Sequence, residues 1–161
     1  KAPRQMPKKV KLIVMDFDGV LTDNRVWVDE TGKETVAAYR SDSLGLALLR
    51  QKTGIESMVL SMEKNPVVAA RCKKMNIPVM QGIHNKDQAL QQLMNDRNLM
   101  ANEVVYIGND VNDLACFPLV GCAVVPVDAE PEGRKQADMT LTRRGGHGAV
   151  RELCDMLMAR E

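Results

Sequence analysis

The sequence predicts an α/β fold built on a central, mainly parallel β-sheet. Two short apolar runs support this prediction, one at residues 12–15 and the other at residues 104–107. Both runs are uninterrupted and bounded by polar residues, which is typical of strands buried on both faces of a parallel sheet. Segments that are apolar on one helical face alternate with further short apolar runs along the chain. This alternation is the pattern of an α/β domain.

The length and composition predict one domain with an aliphatic core. The chain has 161 residues, of which 45% are hydrophobic, but it contains only one Trp, two Tyr and two Phe. Eleven methionines are available to fill gaps in such a core. The net charge of +1 and the scarcity of aromatic side chains argue against a nucleic-acid partner. No apolar run reaches the roughly 18–20 residues that span a bilayer, so we expect no membrane partner.

The four cysteines, at positions 72, 116, 122 and 154, show no C-x-x-C spacing. They are also too sparse for the disulfide framework of a small secreted domain. We therefore expect reduced thiols in a cytosolic or nuclear protein.

The first ten residues differ in composition from the rest of the chain. Residues 1–10 are rich in Pro and Lys and do not begin with Met. This composition predicts an extended linker. We interpret it as the connection from a missing amino-terminal domain to a domain at residues 11–161. The basic residues could instead form a localisation patch.

The first apolar run ends at two carboxylates, Asp16 and Asp18, and Gly19 then allows the chain to turn. Open parallel sheets bind their ligands outside the carboxyl ends of the strands. Two carboxylates at such an edge repel each other and are costly to bury unless a cation lies between them. Mg²⁺ is the expected cation, because it prefers a few carboxylate oxygens and retained waters. The alternative is a solvated acidic turn after a strand.

The middle of the chain predicts a hairpin followed by alternating helices and strands. Residues 25–39 contain two short strand-like runs around a Thr-Gly turn, which is a β-hairpin pattern. Its strand edges and Trp27 make it a candidate surface for self-association, unless it packs on its own core. Ser41-Asp42-Ser43 predicts a helix N-cap. The next elements are predicted at residues 44–53 (helix), 55–60 (strand), 66–75 (helix), 77–80 (strand) and from 86 (helix).

The second half of the chain repeats this pattern. The strand at residues 104–107 ends in Gly108-Asn109-Asp110, and Asp113 follows three residues later. This is a second buried strand that ends in glycine and acidic residues. Further elements are predicted at residues 114–120 (helix), 122–125 (strand), from 131 (helix), 138–141 (strand) and around 153–157 (helix).

These motifs resemble those of the haloacid dehalogenase superfamily. The resemblance rests on Asp-Phe-Asp-Gly-Val-Leu-Thr at residues 16–22, Ser61 at a strand end, Lys86 at a helix start and the Gly108-Asn109-Asp110 strand end. It implies a three-layer Rossmann-like fold with a small β-hairpin where other members carry a cap domain.

The resemblance also implies catalytic roles. Asp16 would be the nucleophile that accepts a phosphoryl group, and Asp18 would be the general acid and base. Lys86 would pair with the Asp16 carboxylate and neutralise phosphate charge. The alternative for Lys86 is a solvated surface side chain.

Binding roles follow in the same way. Ser61, Gly19 and Lys86 would bind the phosphoryl group, although a serine after a strand can equally be structural. The implied Mg²⁺ ligands are the residues at the two acidic strand ends: Asp16, Asp18 through its main-chain carbonyl, Asp110 and Asp113.

Within the superfamily, the chain resembles the capless branch typified by 3-deoxy-manno-octulosonate 8-phosphate phosphatase. The hairpin and the Gly-Gly-His-Gly-Ala-Val-Arg-Glu tail at residues 145–152 carry this resemblance. It implies a homotetramer joined through the 25–39 hairpin and neighbouring surfaces. The chain also resembles the C-terminal domain of animal CMP-sialic acid synthetases. That second resemblance implies a nuclear protein whose missing cytidylyltransferase domain joins CTP to sialic acid.

Three departures from the phosphatase pattern bear on activity. Ser61-Met62-Glu63 replaces Thr-Gly-Arg, Asn109 replaces an Asp, and His147 replaces an Arg. Because these changes remove cations or a carboxylate, we expect a tetramerisation and regulatory module with weak or no phosphatase activity. The alternative is an active Mg²⁺-dependent phosphatase of a sugar-acid phosphate, such as a sialic acid 9-phosphate.

Overall fold

The structure, a computed structural model, describes residues 2–160. The strands are β1 (Leu12–Met15), β2 (Trp27–Val28), β3 (Glu34–Thr35), β4 (Glu56–Leu60), β5 (Val79–Met80), β6 (Val104–Ile107), β7 (Cys122–Val125) and β8 (Met139–Thr140). The α-helices are α1 (Arg40–Thr53), α2 (Pro66–Met75), α3 (Lys86–Asp96), α4 (Pro131–Gln136) and α5 (Ala149–Met158). Ala101–Glu103 and Val111–Leu119 form 3-10 helices. No helix within residues 2–160 is long and apolar enough to cross a membrane.

Six strands form one parallel sheet in the order β5-β4-β1-β6-β7-β8. The central strand β1 pairs with β4 and β6, so that Met15 lies opposite both Val59 and Ile107. After β1 the chain builds the β4–β5 side of the sheet and then crosses back to build the β6–β7–β8 side. The strand order therefore reverses between β1 and β6, which is where open α/β sheets bind ligands.

Alternate residues of β1 enter two separate cores, one on each face of the sheet. Ile13 and Met15 are fully buried among side chains of α1, α2 and α5. Leu12 and Val14 are buried on the opposite face, among side chains of α3 and of the 3-10 helix at Val111–Leu119. This helix–sheet–helix layering confirms the predicted three-layer α/β fold, and the uninterrupted apolar runs reflect burial on both faces.

The start of α1 differs from the prediction. The helix begins at Arg40, and its N-cap residue Tyr39 makes no side-chain cap hydrogen bond. The predicted N-cap at Ser41-Asp42-Ser43 is therefore wrong, because these residues lie inside the first helical turn. Asp42 caps a different helix: its Oδ1 accepts a hydrogen bond of 3.0 Å from the backbone N–H of Arg151 in α5.

The predicted hairpin is confirmed as the antiparallel pair β2–β3. Trp27 lies opposite Thr35, and Val28 lies opposite Glu34. Gly32 has φ of 83°, a left-handed conformation that the turn needs and that glycine adopts without strain. The hairpin does not bury its apolar side chains, since Trp27 is 74% exposed and Val28 is 62% exposed.

The segment before β1 packs against the domain through Arg4. The Arg4 guanidinium makes an ion pair of 2.8 Å with Asp138 and donates to the carbonyl oxygens of Phe117 and Val120. Its backbone N–H also donates to Asp138 at 2.8 Å. Val10 at the end of this segment is buried. Residues 2–10 thus lie along the domain, held by a charged contact at one end and an apolar contact at the other.

Candidate active site

The residues that follow β1, β4 and β6 meet at one edge of the sheet. The backbone N–H of Asp16 continues the β1–β6 ladder by donating to Ile107 at 3.0 Å. A pocket of about 210 Å³ opens at this edge. It is lined by Asp16, Asp18, Asn24, Ser61, Met62, Glu63, Asn109, Asp110 and Asn112. The sequence prediction that the two acidic strand ends converge is thus consistent with the geometry.

A buried charge cluster lies directly behind the pocket. Lys86 is 2% exposed, and its Nζ lies 3.1 Å from Asp16 Oδ1 and 2.9 Å from Asp113 Oδ1. The hydroxyl of Tyr106 donates to the same Asp113 oxygen at 2.5 Å. A buried ammonium needs partners of this kind, because an unpaired one would be discharged or would destabilise the fold. Lys86 is therefore not the solvated surface lysine of the alternative interpretation.

The pKa values in this cluster follow from burial and from the packing of two acids around one base. Burial, followed by the nearby Asp113 charge, raises the pKa of Asp16 to about 7, and Lys86 opposes this rise. Burial disfavours the charged form of Lys86, but Asp16 and Asp113 together outweigh it and raise the lysine pKa. Any cation bound beside Asp16 would also favour the ionised carboxylate.

Asp113 does not reach the pocket. Its side chain is fully buried. One carboxylate oxygen accepts from Lys86 and Tyr106, and the other accepts from the backbone N–H of Asn109 at 2.9 Å. Both oxygens are thus occupied on the far side of Lys86. This placement does not fit the metal-ligand role predicted from the sequence; it fits a residue that orients Lys86 and the loop after β6.

Asn109, for which the sequence predicted no site role, lies beside Asp16 and Asp18. Its side-chain amide is 3.2 Å from Asp16 Oδ2 and 3.1 Å from the main-chain oxygen of Asp18. Asp110 also lines the pocket, but its Oδ1 caps the following 3-10 helix by accepting from Val111 N–H at 2.6 Å. The available signal was the position of Asn109, directly after Gly108 at the strand end.

Gly19 supports this arrangement from outside the pocket lining. Its φ is 81°, and a Cβ at this position would lie 2.0 Å from the Asn109 amide nitrogen. Only glycine leaves room for the amide there. The backbone N–H of Gly19 donates to Thr22 Oγ1 at 3.2 Å. The backbone N–H of Gly19 is thus not free to bind phosphate in the way that the sequence predicted. The need for glycine here follows from its close contact with Asn109.

Asp18 and Ser61 both line the pocket. Asp18 is half-buried, and burial, followed by the charges of Glu63 and Glu34, raises its pKa. A carboxyl group with a raised pKa is suited to donate a proton. Ser61 is 1% exposed, and its Oγ accepts from the backbone N–H of Glu63 at 3.1 Å. Its hydroxyl hydrogen is therefore available to a ligand in the pocket.

The donor atoms around Asp16 fit a hard divalent cation. Within residues 2–160, no three His, Cys, Asp or Glu side chains form a metal centre. The carboxylate of Asp16, the main-chain carbonyl of Asp18 and the Asn109 amide nevertheless offer a compact set of oxygens. Oxygen ligands of mixed type, with water completing the shell, are what Mg²⁺ binds in proteins.

Of the three departures noted in the sequence, two lie in the pocket. Asn109 and Glu63 line it, and Glu63 Oε1 accepts from the backbone N–H groups of Lys64 and Asn65. His147 instead lies in a separate pocket of about 280 Å³ with Asp23, Arg25, Asp128 and Arg144.

The ion pair between Asp16 and the buried Lys86 lies at the switch point of a parallel sheet, where enzymes of this α/β architecture bind their ligands. The profile of haloacid dehalogenase-like hydrolases matches residues 44–153. The chain therefore belongs to the haloacid dehalogenase-like hydrolase family.

Two phosphatases of known name are similar to this chain along most of their length. The chain is 32% identical over 152 residues to the 3-deoxy-D-manno-octulosonate 8-phosphate phosphatase of Escherichia coli K12, covering 94% of this chain and 80% of the relative. The Moraxella catarrhalis phosphatase of the same name, solved with magnesium, phosphate and KDO, is 32% identical with a TM-score of 0.89. That alignment covers 94% of this chain and 87% of the Moraxella chain.

A second kind of relative is much longer than this chain. N-acylneuraminate cytidylyltransferase A of Danio rerio is 30% identical over 159 residues, which is 96% of this chain. The chain spans only 36% of the length of that relative.

Proposed function

We propose that this chain is a Mg²⁺-dependent phosphatase that hydrolyses the phosphate monoester of a sugar acid. The observation that carries the proposal is the Asp16–Lys86 ion pair of 3.1 Å at the floor of a pocket that also exposes Asp18. The likeness to 3-deoxy-D-manno-octulosonate 8-phosphate phosphatases along most of their length supports the substrate class. This likeness favours an active phosphatase over a domain without catalytic activity.

The proposed reaction has two chemical steps. The Asp16 carboxylate attacks phosphorus, the bond to the sugar oxygen breaks, and Asp18 donates a proton to the departing oxygen. Asp18, now ionised, then takes a proton from a water that attacks the aspartyl-phosphate, which releases inorganic phosphate and restores Asp16. The raised pKa of Asp18 supports the first proton transfer.

The other side chains of the pocket act on charge and orientation. Lys86 holds the Asp16 carboxylate in place and, with the Ser61 hydroxyl, stabilises negative charge on the phosphoryl oxygens. Mg²⁺ would be held by Asp16, the Asp18 carbonyl, Asn109 and Asp110, and it would supply neutralisation of phosphate charge. Because Asp113 fixes Lys86 from behind, it contributes to positioning.

The decisive experiment is a phosphate-release assay with sugar-acid phosphates, including 3-deoxy-manno-octulosonate 8-phosphate and a sialic acid 9-phosphate. We expect turnover with Mg²⁺, none with EDTA, and at least about a 10³-fold loss of kcat in Asp16→Asn, because the amide is no nucleophile. Asp29→Asn, on the exposed hairpin turn, is the matched control. Absence of turnover in the unmodified chain, or equal turnover in Asp16→Asn, would contradict the proposal.

A second candidate function, self-association, is favoured by the exposed hairpin. Val26, Trp27 and Val28 are three consecutive exposed apolar residues of the 25–39 hairpin, with Trp27 74% exposed. Apolar strips of this kind on a strand edge mark surfaces that bind other chains. We propose that copies of this chain associate through the hairpin into a homotetramer. The match to the cytidylyltransferase supports a further proposal, that such a domain assembles a longer enzyme.

A further inference from the structure

The Asn109 amide occupies the point where the two oxygen atoms nearest the pocket floor converge. It lies 3.2 Å from Asp16 Oδ2 and 3.1 Å from the main-chain oxygen of Asp18, and Asn109 itself is 6% exposed. The other oxygen of Asp16 already accepts from Phe17 N–H at 2.8 Å and lies 3.1 Å from Lys86 Nζ. The Asn109 amide thus contacts the Asp16 oxygen, Oδ2, that Lys86 and Phe17 leave free.

The two ends of an amide have opposite chemistry. With its nitrogen toward these oxygens, Asn109 donates to both, which stabilises the two acceptors without any metal. With its oxygen in that position, the amide oxygen lies 3.2 Å from Asp16 Oδ2 and 3.1 Å from the Asp18 carbonyl oxygen, which is unfavourable unless a cation binds between them. A rotation of the terminal side-chain torsion by about 180° interconverts the two orientations.

Tight packing keeps the amide at this point. A Cβ on Gly19 would lie 2.6 Å from the amide carbon of Asn109, so the backbone of Gly19 lies directly against one side of the amide. The backbone N–H of Asn109 is held by Asp113 at 2.9 Å. These two contacts keep the amide beside Asp16 and Asp18.

We propose that Asn109 acts as an internal substitute for the metal ion. Its NH₂ group bridges Asp16 and the Asp18 carbonyl when no metal is bound, and the amide turns to present its oxygen when Mg²⁺ binds. The cation thus competes with a hydrogen-bonded group of the protein. The chain gains a site that stays assembled without metal and in return binds metal less tightly. The proposal rests on the metal site of the proposed function.

The test is an Asn109→Asp variant, because a carboxylate has the same shape but cannot donate. In EDTA, we expect a lower melting temperature than in the unmodified chain, because Asp16 then faces a second carboxylate. In calorimetric titration with Mg²⁺, we expect a dissociation constant lower by about tenfold or more, because a charged ligand replaces a neutral one. The rise in melting temperature on adding Mg²⁺ should also be larger.

Asn102→Asp is the matched control, since Asn102 is exposed in the 3-10 helix before β6, whereas the pocket lies at the other end of that strand. We expect its Mg²⁺ affinity to change less than about threefold, because an exposed carboxylate acts weakly through water. The proposal is overturned if Asn109→Asp binds Mg²⁺ no more tightly than the unmodified chain, or if it is equally stable in EDTA. If neither protein binds Mg²⁺, the proposed metal site fails together with this inference.

A second measurement uses the unmodified chain and so does not depend on the folding of a variant. In EDTA, the side-chain NH₂ resonances of Asn109 should exchange slowly with solvent, because both oxygens accept from this group. On adding Mg²⁺ they should shift and exchange faster, while those of Asn102, before β6, stay the same. Fast exchange of the Asn109 amide in EDTA, or no change when Mg²⁺ binds, would overturn the proposal.

Discussion

Asp113 is the residue whose role changes most between the sequence and the structure. It is fully buried, and it contacts Lys86, Tyr106 and the backbone after β6. If it positions Lys86, its charge should matter for stability and rate but little for metal affinity. If it is a ligand, its loss should weaken metal binding as much as the loss of Asp16.

We expect Asp113→Asn to lower the free energy of unfolding by about 2 kcal/mol, because Lys86 loses one of two buried partners. Its Mg²⁺ dissociation constant should change less than about fivefold, whereas Asp16→Asn should raise it by more than about tenfold. Urea unfolding and calorimetric Mg²⁺ titration of the two variants check this. If Asp113→Asn and Asp16→Asn lose Mg²⁺ affinity equally, Asp113 is a metal ligand and the positioning role is wrong.

The difference between prediction and structure at this scale has a simple cause. Strand ends and turn residues predict that Asp16, Asp18, Ser61 and Lys86 share one edge of the sheet, since parallel strands all end there. Which of several consecutive polar residues faces the pocket depends on the backbone torsions of the turn. Here Asn109 contacts Asp16, whereas Asp110 caps the following 3-10 helix. No spacing rule in the sequence contains that information.

Among the elements, the pairing of α1 with α5 depends on Asp42. This carboxylate is 1% exposed and caps α5 through Arg151, while its Oδ2 has no hydrogen-bond partner among residues 2–160. Burial raises the pKa of Asp42 to about 6, against the opposing effect of the Arg151 hydrogen bond and the nearby arginines. The folded chain therefore binds this proton more tightly than the unfolded chain.

The sign of the pH dependence follows from that difference. A raised carboxyl pKa in the folded state means that stability is lost as pH rises from about 4 to about 6. Asp42→Asn keeps an acceptor for Arg151 without the charge. We expect it to be more stable than the unmodified chain at pH 8, on the order of 2 kcal/mol, with little difference below pH 4.

Urea unfolding of both proteins at pH 4 and pH 8 measures this effect. Asp96→Asn, exposed at the end of α3 and away from this contact, is the control and should not gain stability at pH 8 as Asp42→Asn does. A less stable Asp42→Asn at pH 8 would mean that the charged form is favoured by Arg71, Arg143 and Arg151.

Sequence patterns predicted most elements but not the capping of α1 and α5. Apolar runs fix the strands because burial on both faces demands them. A Ser-Asp-Ser sequence before a helical pattern is a usual N-cap signal. Here the aspartate accepts from a helix that begins more than a hundred residues later in the chain, at Ala149. Such a long-range contact overrides the local signal.

For the whole molecule, the exposed hairpin at residues 25–39 predicts self-association. By light scattering, we expect the unmodified chain to have a mass several times the 17.9 kDa of one copy. Trp27→Ser should shift the population toward single copies, because a buried aromatic at an interface contributes about 2 kcal/mol or more. Met100→Ser, which removes another exposed apolar side chain, is the control. A single-copy mass for the unmodified chain would contradict the self-association proposal.

The outer strands of the main sheet restrict how copies can join. β5 (Val79–Met80) and β8 (Met139–Thr140) have two residues each, so either border offers a neighbouring chain only a few backbone groups to pair with. Short borders of this kind prevent one sheet from being extended by the next molecule. Any multimer of this chain is therefore expected to be a closed particle of fixed size, and open-ended fibre growth along the six-stranded layer is disfavoured.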